Sequence, residues 1–180
     1  MSTLTLPATG TWTIDPTHTA VSFSARHLMA AKVRGSFKTF SGSISIADSP
    51  ESSSVTVSID AASIDTGVAD RDKHLRSADF LDVENYSSLE FASTSVRPVA
   101  GGYEVDGILS IRGASQPVTL QMEYAGVMAD PWGNEKAIFT AQTTINREDF
   151  GLTWNAPLEA GGWLVGKEVQ IEIEVQAAKA

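Results

Sequence analysis

The amino-acid sequence predicts an all-β protein in which eight antiparallel strands close into a barrel. The first observation is a regular alternation of apolar and polar residues. It is plainest near the end of the chain, where apolar residues at positions 169, 171, 173 and 175 alternate with Gln and Glu. Such alternation indicates a strand with one buried and one solvated face. Eight stretches of this kind follow one another with a single helical interruption, and a closed sheet of eight strands can hold one slender ligand.

The predicted strands have coarse boundaries, which the alternation places at residues 12–27, 33–47, 55–64, 89–96, 103–111, 118–128, 137–145 and 169–175. Pro16 predicts a bend in the first strand. In the second strand the apolar parity changes, which predicts a β-bulge near Ser41 and Gly42. Turn residues such as Gly101, Gly102 and Gly133 separate the later strands.

A helical segment is predicted at residues 66–86, between the third and fourth strands. Asp65 or Thr66 can cap a helix, and the acidic-to-basic order from Asp70 to Lys73 and Arg76 complements the helix dipole. Strands of a meander need only short links. We therefore expect this long segment to cover one end of the barrel.

Length and composition predict one globular domain spanning residues 1–180, with residues 1–10 as a flexible N-terminal tail. The hydrophobic share is 42% and the charged share 19%, as in soluble proteins. The net charge is −9 and the basic residues are scattered, so nucleic acid is not an expected partner. The sequence contains no uninterrupted apolar stretch of about 18 residues, so no transmembrane segment is expected. The first ten residues lack the charged and apolar parts of a secretory signal, which favours a cytoplasmic protein. The absence of cysteines agrees with a reducing compartment but would also suit an exported protein.

The sequence resembles the YceI-like family in several blocks that occur in the family's order from residue 12 to the final strand. These blocks are Trp12-Thr-Ile-Asp15 with His18-Thr-Ala-Val-Ser-Phe23, Arg71-Asp-Lys-His-Leu75 with Asp79-Phe80, Leu109-Ser-Ile-Arg-Gly113 with Pro117-Val118, and Asn146-Arg-Glu-Asp-Phe-Gly151. The resemblance implies a lipocalin-like barrel with a long interior pocket. It also implies a non-catalytic carrier or sequestering protein, often homodimeric, for a polyisoprenoid, an isoprenoid quinone or a similar amphiphile.

The residues themselves also support a ligand in the barrel interior. Large and small side chains alternate on the inward parity, and small residues facing large ones leave room for a tube. The expected small interior residues are Ala25, Gly35, Gly107, Ala141 and Thr143. The predicted ligand-binding residues are Phe23, His27, Met29, Phe37, Arg71, His74, Phe80, Phe91, Leu109, Met122, Phe139, Trp154 and Trp163. A completely filled core is the alternative, because large apolar side chains are ordinarily just buried.

Several of these residues have specific expected roles. Arg71 can hold an oxygen-bearing headgroup with its forked donors, with His74 one helical turn away; the alternative is a salt bridge from Arg71 to Asp70 or Asp72. For Arg147, likewise, the alternative is a salt bridge, here to Glu148 or Asp149. Flexible methionines at 29 and 122 suit a chain-like guest. The loop tryptophans 132, 154 and 163 are expected either to anchor loops or to mark a mouth or an interface.

Catalysis is not predicted, and neither is a cofactor or a metal. There is no nucleophile elbow, glycine-rich phosphate loop or paired His-Glu-x-x-His. Two other functions remain open. One is a metal-dependent enzyme, such as a hydrolase, in which Asp70 and His74 at a four-residue helical spacing are the ligands. The other is a protein-interaction barrel with a filled core.

The loop between the last two strands also predicts a homodimer. It combines Trp154, Leu158, Trp163 and Leu164, which offer apolar surface that usually has a partner. In a two-fold dimer the same patch meets itself. We therefore predict a homodimer whose contact, or whose pocket mouth, includes Trp163.

Overall fold

A computed structural model describes residues 6–180 as one antiparallel sheet of eleven strand segments with one α-helix. Three short 3-10 turns complete the regular structure of this part of the chain. The segments are β1 (Gly10–Ile14), β2 (Ala20–His27), β3 (Ala31–Phe37), β4 (Phe40–Ile46), β5 (Ser54–Asp60), β6 (Ile64–Asp65), α1 (Ala69–Arg76), β7 (Ser88–Val99), β8 (Gly102–Ile111), β9 (Ala114–Ala129), β10 (Glu135–Asn146) and β11 (Val165–Lys179).

The eleven segments form eight barrel strands, because each of the first three strands is interrupted. β1 and β2 form the first strand, β3 and β4 the second, and β5 and β6 the third. Each strand pairs with the next along the chain, and β11 returns to pair with both β1 and β2. This last pairing closes the barrel, so the predicted eight-stranded antiparallel barrel with a helical insertion after the third strand is confirmed.

The interruptions have local causes, and one of them corrects the sequence prediction. The first strand breaks at residues 15–19, around Pro16, as predicted. The predicted bulge at Ser41 and Gly42 is wrong, because β4 pairs with β5 in continuous register there. The parity changes instead at Lys38 and Thr39, which separate β3 from β4. Two residues that lie outside the strands shift the apolar parity as a bulge would, so the alternation alone could not place the break.

The strand registers sort the connections into two barrel ends. One end, here called the helical end, holds the β2–β3 turn at residues 28–30, the α1 segment and the 147–164 segment. The opposite end holds the turns at residues 47–53, 100–101 and 130–134. Residues 1–5 of the predicted N-terminal tail lie outside the described residues. Leu6 packs against the barrel core and β1 begins at Gly10.

The N-terminus of α1 is fixed by a buried carboxylate, which differs from the predicted cap. The capping position is Val68, not Asp65 or Thr66. Asp72 accepts hydrogen bonds from the Thr66 backbone N–H at 2.8 Å and the Thr66 hydroxyl at 2.6 Å. Burial by itself would raise the pKa of Asp72, but these hydrogen bonds and the charges of Arg76 and Arg71 outweigh it, and the pKa lies below its usual value. The network fastens α1 to the end of the third strand.

Candidate functional site

The barrel encloses a cavity of about 290 Å³ that extends between the two ends. Leu6 lines it toward the opposite end, whereas Leu152 and Val165 line it at the helical end. Its lining is aliphatic and aromatic apart from a few Ser and Thr residues and one charged side chain among the described residues, Arg147. The volume is close to the lower limit of about 300 Å³ for small-molecule sites. An apolar cavity of this kind favours a hydrocarbon guest.

Two glycines make room for the aromatic rings inside the barrel. A Cβ at Gly35 would lie 2.5 Å from Cζ of Phe23, its cross-strand partner. A Cβ at Gly107 would lie 2.4 Å from Cζ of Phe91 and 2.6 Å from the carbonyl oxygen of Ala92. Each ring therefore occupies space that a side chain at the glycine would fill. The predicted pairing of small and large interior residues is present at both positions, although Gly35 and Gly107 are not themselves among the residues that line the cavity.

Seven of the thirteen predicted ligand-binding residues line this cavity. They are Phe23, Phe37, Phe80, Phe91, Leu109, Met122 and Phe139. The small residues Ala25, Ala141 and Thr143 line it as well. The other six predicted residues, which are His27, Met29, Arg71, His74, Trp154 and Trp163, are not among the lining residues, and all six lie at the helical end. Whether any of the thirteen contacts a ligand stays a prediction.

Three of the predicted residues form an aromatic cluster beside the cavity. The ring centroids of His74 and Trp154 are 4.6 Å apart, and both rings contact Phe80. Because Phe80 lines the cavity, His74 and Trp154 form a second layer outside it. Nε2 of His74 lies 2.8 Å from Oδ2 of Asp79. Trp154 is thus half-buried by ring packing, as expected of a loop anchor.

Arg71 belongs to the network at the start of α1 and not to the cavity wall. Its Nε donates to the Thr66 hydroxyl at 2.7 Å, and one terminal nitrogen donates to the Thr66 carbonyl at 2.9 Å. Three of its N–H groups at most remain for another acceptor. The headgroup contact predicted for Arg71 therefore stays a prediction that the cavity lining does not support.

Arg147 lines the cavity although it is not among the predicted ligand-binding residues. Its buried guanidinium donates to the main-chain carbonyls of Leu152 at 2.5 Å, Trp154 at 3.0 Å and Gly166 at 2.8 Å, and more distantly to Val165. Burial lowers its pKa. The expected alternative, a salt bridge to Glu148 or Asp149, is wrong, because Glu148 pairs with Lys167 and Arg147 bonds to carbonyls. Arg147 thus joins the 151–166 backbone to the cavity wall.

The ligand pair of the metal-enzyme alternative is not assembled. Asp79, and not Asp70, is the carboxylate hydrogen-bonded to His74. Among residues 6–180 no group of three or more His, Asp and Glu side chains could hold a metal ion.

Comparisons with known proteins agree with this architecture. A family model described as the YceI-like domain matches residues 12–177. The chain belongs to the YceI-like family. A UPF0312 protein from Ectopseudomonas mendocina is 41% identical over 138 residues, which cover 76% of this chain and 72% of the relative.

Solved structures share the YceI-like barrel. The crystal structure of Burkholderia cenocepacia BcnA matches with a TM-score of 0.78 and 25% identity, covering 91% of this chain and 98% of that one. A polyisoprenoid-binding domain from Saccharophagus degradans matches with a TM-score of 0.71 and 15% identity, covering 94% and 98%. The latter likeness concerns the fold alone. Within residues 6–180, no helix of this YceI-like chain has the length and apolar character needed to cross a membrane.

Proposed function

We propose that this YceI-like protein is a non-catalytic carrier or sequestering protein that holds a long-chain amphiphile inside its barrel. The ligand class is a polyisoprenoid, an isoprenoid quinone or a similar lipid. The observation that carries the proposal is the apolar cavity along the barrel axis, with seven predicted residues in its wall. Membership of the YceI-like family supports it, as does a relative of the same fold that is described as polyisoprenoid-binding.

The geometry favours a guest whose buried part is hydrocarbon. Apolar surface gains about 25 cal/mol for each Å² removed from water, so an apolar chain drives its own entry. A polar headgroup finds few partners in the wall, because the guanidinium of Arg147 is already engaged with main-chain carbonyls. Burying a headgroup without hydrogen bonds would cost several kcal/mol. The headgroup is therefore expected to stay at a barrel end.

Native mass spectrometry of gently purified protein tests the proposal. We expect an added mass that fragments as a lipid, and we expect loss of that mass from Ala141→Phe, which places a ring in the cavity. Thr140→Phe is the matched control, because Thr140 is the exposed neighbour on the same strand. A stoichiometric metal mass would favour the metal-dependent enzyme. A bare chain that also takes up no fluorescent long-chain probe would overturn the proposal.

The finer parts of the proposal need separate tests. The cytoplasmic location stays a prediction that fractionation of the source cells would check. A carrier, unlike a sequestering protein, is expected to speed transfer of a fluorescent polyprenyl probe between two vesicle populations.

A further inference from the structure

The β2–β3 turn exposes two large apolar side chains on a strained backbone. Leu28 is 53% exposed and Met29 is 61% exposed. Both have positive φ angles, 54° and 65°, in the turn that the Ala30 N–H closes onto the His27 carbonyl. Such a turn prefers Asn-Gly, and a bulky residue in this region costs stability. Neither strain nor exposure benefits the fold, so these side chains point to a contact outside the chain.

A third exposed apolar residue lies in a segment that packs against this turn. Trp163 is 53% exposed and follows Gly162, where a Cβ would lie 3.2 Å from Sδ of Met29. The Leu28 N–H donates to the carbonyl of Leu164 at 2.8 Å, which holds the turn against the 162–164 segment. Leu28, Met29 and Trp163 therefore form one apolar tip at the helical end.

A group of positively charged side chains lies next to the apolar tip. Arg26 and Lys32 face each other directly across β2 and β3, and Arg34 follows on the same exposed face. None of the ion pairs found within residues 6–180 includes Arg26, Lys32, Arg34 or Lys38. Like charges opposite one another are destabilising. This basic stripe, defined by those four residues, stands out in a chain of net charge −9.

We propose that the apolar tip and the basic stripe form a docking surface for an anionic phospholipid bilayer. Large apolar side chains favour the acyl boundary, and Lys and Arg beside them favour an anionic leaflet. Asp65 and Glu172 border the stripe but form no ion pair with it. The inference builds on the proposed function, because a carrier of a membrane lipid must reach the bilayer.

Charge complementarity favours a bilayer over a second copy of the chain. In a two-fold dimer through Trp163 the basic stripe would lie close to its own copy, and like charges at an interface cost free energy. The other strongly exposed tryptophan, Trp132, lies at the opposite end between Asp130 and Glu135. The lysine near this turn, Lys136, is ion-paired with Asp15, so Trp132 offers apolar surface beside acidic residues and provides a matched control.

Sedimentation with vesicles tests the docking surface. The probes are vesicles of equal parts phosphatidylglycerol and phosphatidylcholine, and vesicles of phosphatidylcholine alone. The protein should bind the anionic vesicles more tightly, and 1 M salt, where the Debye length is about 3 Å, should weaken binding. The double variant Lys32→Gln with Arg34→Gln should lower the partition coefficient onto anionic vesicles about 25-fold, because each positive charge near the membrane surface contributes a factor of about five. Lys179→Gln, an exposed lysine at the opposite end, should leave it unchanged.

The apolar tip has its own variants. Trp163→Ser should reduce vesicle binding at least tenfold, because a half-exposed indole loses its apolar burial, whereas Trp132→Ser should not. Leu28→Asn with Met29→Gly should reduce vesicle binding and leave the melting temperature equal or higher, since these residues relieve the turn. A fall in melting temperature would show that the two side chains serve the fold, and would overturn their docking role.

Two parallel measurements separate this inference from the proposed function. Uptake of a fluorescent polyprenyl probe from cyclodextrin reports the cavity alone, and all docking variants should retain it. The docking surface is refuted if the wild type takes up the probe but binds neither kind of vesicle, or binds anionic and neutral vesicles equally. Either result leaves the cavity function intact. A vesicle-free wild-type dimer that Trp163→Ser dissociates would assign the tip to a subunit interface, against the inference.

Discussion

The Phe139→Ala variant tests whether the barrel interior is a ligand cavity or a filled core. Phe139 is 5% exposed, lines the cavity on one side, and contacts the ring of Tyr124 at a centroid distance of 5.1 Å on another. A Phe→Ala change in a packed core costs about 3–5 kcal/mol of unfolding free energy. Because part of this ring already faces the cavity, fewer packing contacts are lost. We expect about 3 kcal/mol, of which the Tyr124 pair contributes about 1 kcal/mol.

Phe150→Ala is the matched control for this change. Phe150 is 2% exposed and is not among the cavity-lining residues. Its removal should cost about 4–5 kcal/mol, because packing surrounds the ring. Urea denaturation of the ligand-free proteins measures both losses. The control should lower stability without changing which ligands the folded protein accepts.

Probe titration provides the decisive comparison. Phe139→Ala should accept bulkier or longer polyprenyl probes than the wild type, and a bound probe at 100 times its Kd should restore about 2.7 kcal/mol. Phe150→Ala should accept the same probes as the wild type. If Phe139→Ala binds every probe with unchanged affinity while losing the stability that Phe150→Ala loses, the ring at position 139 is ordinary core and the cavity assignment is wrong.

Four further predictions concern single positions. Arg147→Lys should lower the unfolding free energy by at least about 2 kcal/mol in urea denaturation, because one ammonium cannot satisfy four carbonyls; an unchanged midpoint would contradict this role. Hydrogen bonds from Thr17, Lys136 and His18 hold the pKa of Asp15 well below its usual range, so Asp15→Asn should cost about 2 kcal/mol at neutral pH. That cost should shrink as pH falls below about 3.9, the unfolded carboxyl value, and a pH-independent difference would refute the linkage. Gly107→Ala should lower the melting temperature, because the new methyl overlaps Phe91 and a carbonyl oxygen, and a neutral result would show that the ring moves freely. The homodimer that the sequence predicts through Trp163 competes with the bilayer for the same apolar tip, and sedimentation equilibrium decides between them: a wild type that stays monomeric at high concentration would exclude the dimer and leave the tip to the bilayer.

The sequence by itself determined the barrel and most of its interior. Period-two alternation depends on neighbours along one strand, so it identified the face of β2 that carries Phe23 and the face of β10 that carries Phe139 before any pairing was known. Small residues on the same parity, such as Gly107, indicated that the interior leaves room for a tube. Because these features depend only on residues close together in the sequence, the sequence alone is enough to predict them.

Only the tertiary structure decided what happens at the barrel ends. The acceptors of Arg147 are carbonyls 5 to 19 positions away, and no side-chain pattern marks a carbonyl as an acceptor. The hydrogen-bond partner of His74 is Asp79, five residues further along the chain, because the chain turns back after α1. Met29 lies against Gly162, more than a hundred positions away in the sequence, because β11 begins beside the end of β2. Loop conformation depends on contacts between distant segments, and a sequence pattern records only the near ones.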